Sequence, residues 1–136
     1  MRQTHGSFDI ATRGKGLYDF TAEVVRWLQG SGIRDGLLTL FVRHTSASLI
    51  VQDNADPDVQ RDVLHGLQCI FPREGDWRHF EGNSDAHIKT SLTGVSVTLP
   101  VRGARPFLGT WQAIYFAEFD GPRSRHMDVT VVPGVA

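Results

Sequence analysis

Apolar residues recur along this chain at two spacings, and the change from one to the other predicts most of its elements. Residues 7–12 alternate weakly and predict an early strand, ended by Arg13-Gly14-Lys15-Gly16. From Leu17 the spacing lengthens. Leu17, Phe20, Val24 and Leu28 share one helical face, with Gly30 and Gly32 as stop signals. Residues 37–43 are a near-continuous apolar run, the pattern of a strand buried on both faces, and 47–52 read as a second strand. Asp56 suits an N-cap and Pro57 the first helical position. Val59, Val63, Leu67 and Ile70 then fall on one face until Pro72. Residues 77–85 are polar and read as a loop. Strands are expected over 86–92, 95–101, 110–119 and 125–132, with Gly94 breaking the first pair and Asp120-Gly121-Pro122 turning the last pair into a hairpin. Two helices beside several mostly antiparallel strands predict an α+β fold. It would be one compact domain over residues 1–136, a β-sandwich with the helices packed on it.

Composition narrows the function more than the fold. A 136-residue chain with 40% hydrophobic and 21% charged residues is ordinary for a soluble single domain. No apolar run is long enough to cross a bilayer, and the first twenty residues lack the apolar core of a signal peptide. Cys69 has no second cysteine to pair with, so a cytoplasmic protein without a membrane partner is expected. A net charge of −1 with no basic run argues against a nucleic-acid surface. P-loop, Rossmann-type glycine and paired CxxC motifs are absent. Arg102, Arg105, Arg123 and Arg125 crowd the last third, either to serve an anionic ligand or as solvated charges.

Three segments carry more chemistry than packing asks for. In Arg43-His44-Thr45-Ser46-Ala47-Ser48, alternation puts His44 on the same face as Leu38, Leu40 and Val42, so an apolar strand face ends in an imidazole. A buried imidazole needs hydrogen-bond partners or a metal, and Thr45, Ser46 or a backbone carbonyl would satisfy it as a plain core residue. A His–Ser nucleophilic pair is disfavoured, because strand neighbours point to opposite faces. The second segment runs from Arg78 to Lys89. His79, Glu81, Asp85, His87 and Lys89 place imidazole nitrogen and carboxylate oxygen close together, a set suited to zinc and similar divalent ions; a solvated loop is the alternative. If 86–92 is a strand, His87 and Lys89 share a face and Lys89 can meet an anion. The third segment holds Gln112, Ile114, Phe116 and Glu118 on one face. Glu118 needs a cation or a donor there. Arg123 is its nearest candidate partner, and a carboxyl with a raised pKa acting as general acid or base is the alternative. Asp53 and Asn54 sit where a strand gives way to a helix, either as turn formers or as site residues.

Five ordered blocks resemble the signature of the YjbQ-like family. They are Phe41-Val42-Arg43-His44-Thr45-Ser46-Ala47-Ser48, Gln52-Asp53-Asn54-Ala55-Asp56-Pro57, the stretch from His79 to Lys89, Leu108-Gly109-Thr110-Trp111-Gln112, and Glu118-Phe119-Asp120-Gly121-Pro122-Arg123. The resemblance runs from about Gly36 to Val132. It implies a compact α+β fold with a β-sandwich, assembled as a homotrimer, and a polar pocket at a subunit boundary. It also implies a secondary thiamine-phosphate synthase activity, joining a pyrimidine diphosphate to a thiazole phosphate with release of pyrophosphate. That chemistry would suit a divalent ion, zinc or magnesium, with cationic side chains on the leaving group.

On this reading His44, His79 and His87 are metal ligands or acid–base groups, with Glu81 or Glu118 as the carboxylate. Ser46, Asn54, Lys89, Gln112 and Arg123 would bind the phosphorylated substrate. Asp53 stands where the family leads one to expect glutamate. Ala113 and Ala117 stand for glycine and cysteine, which argues against a thiol mechanism. The competing expectation is a non-catalytic trimeric protein that binds a metal or an anion, with Trp77, Phe107 and Trp111 in its contacts.

Overall fold

The structure, a computed structural model, describes residues 2–134. In chain order it contains β1 (Thr4–Ala11), β2 (Gly16–Asp19), α1 (Thr21–Ser31), β3 (Gly36–Val42), β4 (Ala47–Asp53) and α2 (Pro57–Ile70). These are followed by α3 (Ser84–Thr93), β5 (Ser96–Arg102), β6 (Arg105–Pro106), β7 (Gln112–Glu118) and β8 (Ser124–Pro133). One sheet has the order β1-β8-β3-β5-β6 and the other β2-β7-β4, with every pairing antiparallel. The fold is the expected α+β sandwich.

The inward residues of the two sheets make the core. Leu38, Leu40 and Val42 from β3 and Met127, Val129 and Val131 from β8 meet Leu49, Ile114 and Phe116 of the smaller sheet, with Val24 and Leu28 of α1 among them. Each such side chain taken out of water contributes about 1.5–3 kcal/mol. α1 is pinned at its start, where the Ile114 N–H donates to Thr21 Oγ1 at 2.9 Å. It stops at Gly32, whose φ of 77° is the left-handed conformation that ends helices. α2 begins as its sequence predicts, with the Asp58 N–H donating to Asp56 Oδ1 at 2.9 Å and Pro57 in the first turn.

Three expectations are corrected. Leu17 belongs to β2, paired with Ala117 of β7, so the helix starts only at Thr21. Residues 86–92 form α3 and not a strand, which makes three helices instead of two. Its buried stripe consists of Asp85, Ala86, Lys89 and Thr90, so apolar periodicity could not mark it. Finally, β7 and β8 are not a hairpin. β7 lies in the smaller sheet and β8 in the larger, so residues 119–123 cross from one layer of the sandwich to the other. Among the described residues no helix is long and apolar enough to cross a membrane.

Candidate functional site

Two crossovers lie side by side at one end of the sandwich, and they build the site. Residues 43–46 carry the chain from β3 in the larger sheet to β4 in the smaller; residues 119–123 return it from β7 to β8. Their backbones meet where the Phe119 N–H donates to the Ser46 carbonyl at 3.2 Å. The start of α3 closes over them. Asn83 Nδ2 donates to Asp120 Oδ2 at 2.7 Å, and His87 Nδ1 lies 2.7 Å from the Thr45 carbonyl oxygen.

Beneath this lid is a closed ionic network. Glu118 is fully buried and Arg125 is 2% exposed. Arg125 Nε donates to Glu118 Oε1 at 2.7 Å, and its Nη2 contacts both Glu118 Oε2 and Ser46 Oγ, the latter at 2.9 Å. Thr12 Oγ1 donates to Glu118 Oε1 at 2.7 Å, and the Asp120 N–H to Oε2 at 3.0 Å. Burial works to raise the Glu118 pKa, but the hydrogen bonds from Arg125, Thr12 and Asp120 and the Arg125 charge outweigh it. The carboxyl is held below its ordinary range. The expected partner Arg123 instead pairs with Asp120 at 2.6 Å, and the expected raised carboxyl is a lowered one. Gly121 is required over this network, since a Cβ there would lie 2.8 Å from Glu118 Cγ.

Above the network a cleft of about 460 Å³ is lined by His44, His79, His87, Arg43, Arg123 and Arg125, with Glu81 as its one carboxylate. Ser46 and Asn83 also reach it. Hydrogen bonding fixes two of the imidazoles in the same Nδ1–H tautomer but leaves them different free atoms, an N–H on His44 and a bare nitrogen on His87. The His126 N–H donates to His44 Nε2 at 2.8 Å, so in neutral His44 the proton is on Nδ1. The Thr45 carbonyl can only accept, so His87 carries its proton on Nδ1 and leaves Nε2 bare. The His44 pKa is lowered by burial first and then by the charges of Arg125 and His126, which keeps it neutral. His79 packs edge-on to His87, with ring centroids 5.4 Å apart, and its Nε2 is 4.0 Å from Glu81 Oε2.

Other expected site residues lie elsewhere. Lys89 is 3% exposed and spends its charge on Asp85 at 2.9 Å, also donating to Gln68 Oε1 at 2.8 Å. In a helix, positions two apart diverge, so His87 faces the cleft and Lys89 the interior. Gln112 and Asn54 stand at the far end of β7 and β4 from Glu118 and Ser46. Six residue steps of strand amount to about 20 Å. There Gln112 Oε1 accepts from the Gly109 N–H at 2.8 Å, and Asp53 Oδ2 accepts from the Ala55 and Asp56 N–H groups at 3.1 and 3.0 Å, a turn-forming role. Phe107 and Trp111 are exposed, while Trp77 is half-buried and donates to the Pro72 carbonyl at 2.9 Å.

Sequence reasoning missed Arg43, Asn83, Asp120 and the Thr45 carbonyl as parts of this site, and counted Arg125 only in a group of arginines. Asp85 and Lys89, four apart and opposite in charge, were the signal that 84–93 is helical. Among the described residues no group of three or more His, Cys, Asp or Glu is arranged to hold a metal ion. His87, with Nδ1 donating to the Thr45 carbonyl and Nε2 bare, is held as a metal-ligating imidazole is, whereas His44 accepts at Nε2 from the His126 N–H and offers the cleft only a protonated Nδ1.

Comparison with known proteins gives a consistent answer. The model of the family described as "UPF0047 protein YjbQ-like" matches residues 6–134. A UPF0047 protein of Methanocaldococcus jannaschii is 43% identical over 116 residues, 85% of this chain and 84% of the relative. The UPF0047 protein YugU of Bacillus subtilis is 44% identical over 115 residues, 84% of this chain and 87% of the relative. A crystal structure of a YjbQ/UPF0047 protein from Clostridium acetobutylicum superposes with a TM-score of 0.86 at 43% identity, covering 95% of this chain and 99% of that one. A Sulfolobus solfataricus structure, described as of unknown function, reaches 0.91 at 27% identity, covering 98% and 99%.

Proposed function

This chain belongs to the YjbQ-like UPF0047 family, and from that premise we propose that its cleft is the active site of a cytoplasmic enzyme acting on a phosphorylated small molecule. One observation carries the reading. A single cleft presents one imidazole N–H, on His44, and one bare imidazole nitrogen, on His87, among three arginines. An N–H donor and a bare acceptor held beside cationic side chains suit a site that binds an anion and polarises its leaving group. Arg43 and Arg123, both exposed, supply positive charge to the phosphate oxygens. Glu118 serves as a positioning group that holds Arg125, which in turn holds Ser46.

The reaction that suits this lining is displacement of pyrophosphate, as in the thiamine-phosphate synthase type. The thiazole ring nitrogen forms a C–N bond to the pyrimidine methylene carbon while its C–O bond to the diphosphate breaks. The pyrophosphate leaves with the electron pair, among the arginines and the His44 N–H. A divalent ion enters as part of the diphosphate substrate, as magnesium does, because Mg²⁺ is held mainly by phosphate oxygens and water with one or two carboxylates. The test is thiamine-phosphate formation from the two precursors by the untagged protein with magnesium. Activity is expected, and a His79→Ala variant that folds should lose most of it. Retention of the wild-type rate would remove the chemistry from this cleft.

A second reading, a trimeric anion-binding protein without turnover, is favoured by the placement of Asn54 and Gln112. They lie a full strand from the histidines of their own chain and would reach such a cleft only from a neighbouring copy. Mass measurement in solution together with pyrophosphate binding in the absence of turnover would select it.

A further inference from the structure

The cleft has two walls of different build. His79, Glu81 and His87 belong to α3 and the loop before it, whereas His44 and the arginines stand on the crossovers and on β8. After α3 the backbone is tied to both sheets. The Leu49 N–H donates to the Gly94 carbonyl at 3.2 Å, and the Val42 N–H to the Val95 carbonyl at 2.8 Å. Before Gly94 no such tie exists. Among the described residues no backbone–backbone hydrogen bond joins residues 72–93 to either sheet.

The docked face of α3 is also unlike the core. Of Asp85, Ala86, Lys89 and Thr90 only Ala86 is apolar, and Leu92 is 65% exposed. Side-chain hydrogen bonds hold the segment down: Asn83 to Asp120, His87 to the Thr45 carbonyl, Lys89 to Gln68, and Thr93 Oγ1 to Ser48 Oγ at 2.7 Å. Water replaces bonds of that kind at little net loss, but it replaces no apolar contact. The charges on this face carry their own compensation. Lys89 pairs with Asp85 one turn back, so the pair leaves with the helix and hydrates intact. Docking also leaves two polar atoms unpaired within the protein and shut off from solvent, Thr90 Oγ1 and Asn83 Oδ1. Each raises the free energy of the docked state, and each is hydrated on opening.

We propose that residues 72–93 form a lid, hinged at Gly94, that swings off the cleft with His79, Glu81 and His87, and that an anion bound between lid and frame holds it shut. Gly94 suits the hinge, with a φ of 91° and open space where a Cβ would stand. An anion that touches His87 on one wall and Arg123 or Arg125 on the other binds only the closed state, and so shifts the lid towards it. The opening follows from how α3 is docked; the closing rests on the reading of the cleft as an anion site.

The chain carries its own reporter. Its lysines are Lys15, with a side chain 39% exposed, and Lys89, which is 3% exposed and is uncovered when the lid lifts. Acetylation of the native protein by an N-hydroxysuccinimide ester, read by mass spectrometry, compares the two amines. Lys89 should react about 100-fold more slowly than Lys15, the protection of a local opening, and amides of β3 and β8 should be protected at least about 10-fold more in hydrogen exchange. Low urea should leave the Lys89 rate nearly flat and raise core exchange steeply. Saturating pyrophosphate should slow Lys89 about 10-fold or more and leave Lys15 unchanged. Thr90→Val should slow Lys89 about 5-fold, because docking then buries no unpaired hydroxyl. Protection of Lys89 equal to that of the core, with the same urea dependence, overturns the lid while the anion site stands. Pyrophosphate that binds by calorimetry yet leaves the Lys89 rate unchanged overturns the closing. No binding at all overturns the closing together with the reading of the cleft, and the urea comparison then decides the opening. A Thr90→Val rate equal to or above that of the wild type overturns the assignment of the movement to α3.

Discussion

Two groups of ionisable side chains meet at the same end of the sandwich and use their bonds in opposite ways. In the Glu118–Arg125 network both carboxylate oxygens receive two donors, and the side chains are 0% and 2% exposed. In the His79–Glu81–His87 group the side chains of His79 and Glu81 are 35% and 54% exposed and stand 4.0 Å apart, and His87 keeps one nitrogen bare. The carboxylate of the closed group has no valence to offer a ligand. It fixes the two crossovers, because Arg125 holds Ser46 on one and Glu118 holds the Asp120 N–H on the other. The open group rests on that frame and keeps its valences free. Charge fixes structure where every bond is satisfied and supports chemistry where one is not.

The sharpest way to break this contrast is to open the closed group. Glu118→Ala strands a buried guanidinium, and removing one partner of such a pair costs about 3–5 kcal/mol. Urea unfolding should show a loss of that size, and a loss under about 1 kcal/mol would mean that Arg125 finds water or another anion. Lys89→Met should also act on stability and not on anion binding, because Lys89 faces Asp85 and Gln68 inside the protein.

Opening the other group should do the reverse. His87→Ala should lower turnover about 10-fold or more, the order of one lost hydrogen-bond contact to the reacting molecule. Its stability should fall by only about 1 kcal/mol, the share of one hydrogen bond to the Thr45 carbonyl. Added imidazole should restore part of the rate. A variant that unfolds but keeps its rate per folded molecule would place His87 with the structural group.

The legibility of these two groups in the sequence differs for a physical reason. The strands carrying Leu38, Leu40 and Val42, and later Ile114 and Phe116, were readable because their burial is apolar and periodic. α2 was readable from Asp56 and Pro57, whose capping is local. α3 was not, because its inner face is Asp85, Ala86, Lys89 and Thr90, where Asp85 and Lys89 pair with each other instead of making apolar contact. That error moved Lys89 into the site on paper. Likewise the Glu118 partner was sought in the nearest arginine, but a residue two positions on returns through the second sheet and arrives from the side. His44 and His87 were legible as residue types out of place. Their tautomers were not, since these depend on backbone groups of Thr45 and His126 distant in sequence.

Acidity should separate the groups by stages. The His44 pKa is lowered from an ordinary 6.5, so the native protein binds fewer protons there than the unfolded chain. Its contribution is present above about 6.5 and is lost as pH falls through the folded value. Glu118, lowered from an ordinary 4.5, adds a second loss at lower pH by the same sign. Denaturation midpoints measured from pH 8 to 3 should therefore decline in two stages. His44→Gln should remove the upper stage and Glu118→Gln the lower. Rising stability on acidification would contradict both assignments.

The smallest effect belongs to the residue between the two groups. Arg123 pairs with Asp120, but its side chain is 47% exposed, so solvent screens the pair and its loss should cost well under 1 kcal/mol. The same exposure leaves the guanidinium able to turn toward an anion in the cleft that it lines. Arg123→Ala should therefore melt near the wild-type temperature while weakening pyrophosphate binding about 10-fold, the order of one charge-assisted contact. The loss should shrink as salt rises, because an exposed cation is screened within about 10 Å at 0.1 M. Unchanged affinity at low salt would assign Arg123 to bracing the crossover through Asp120, on the structural side of the comparison.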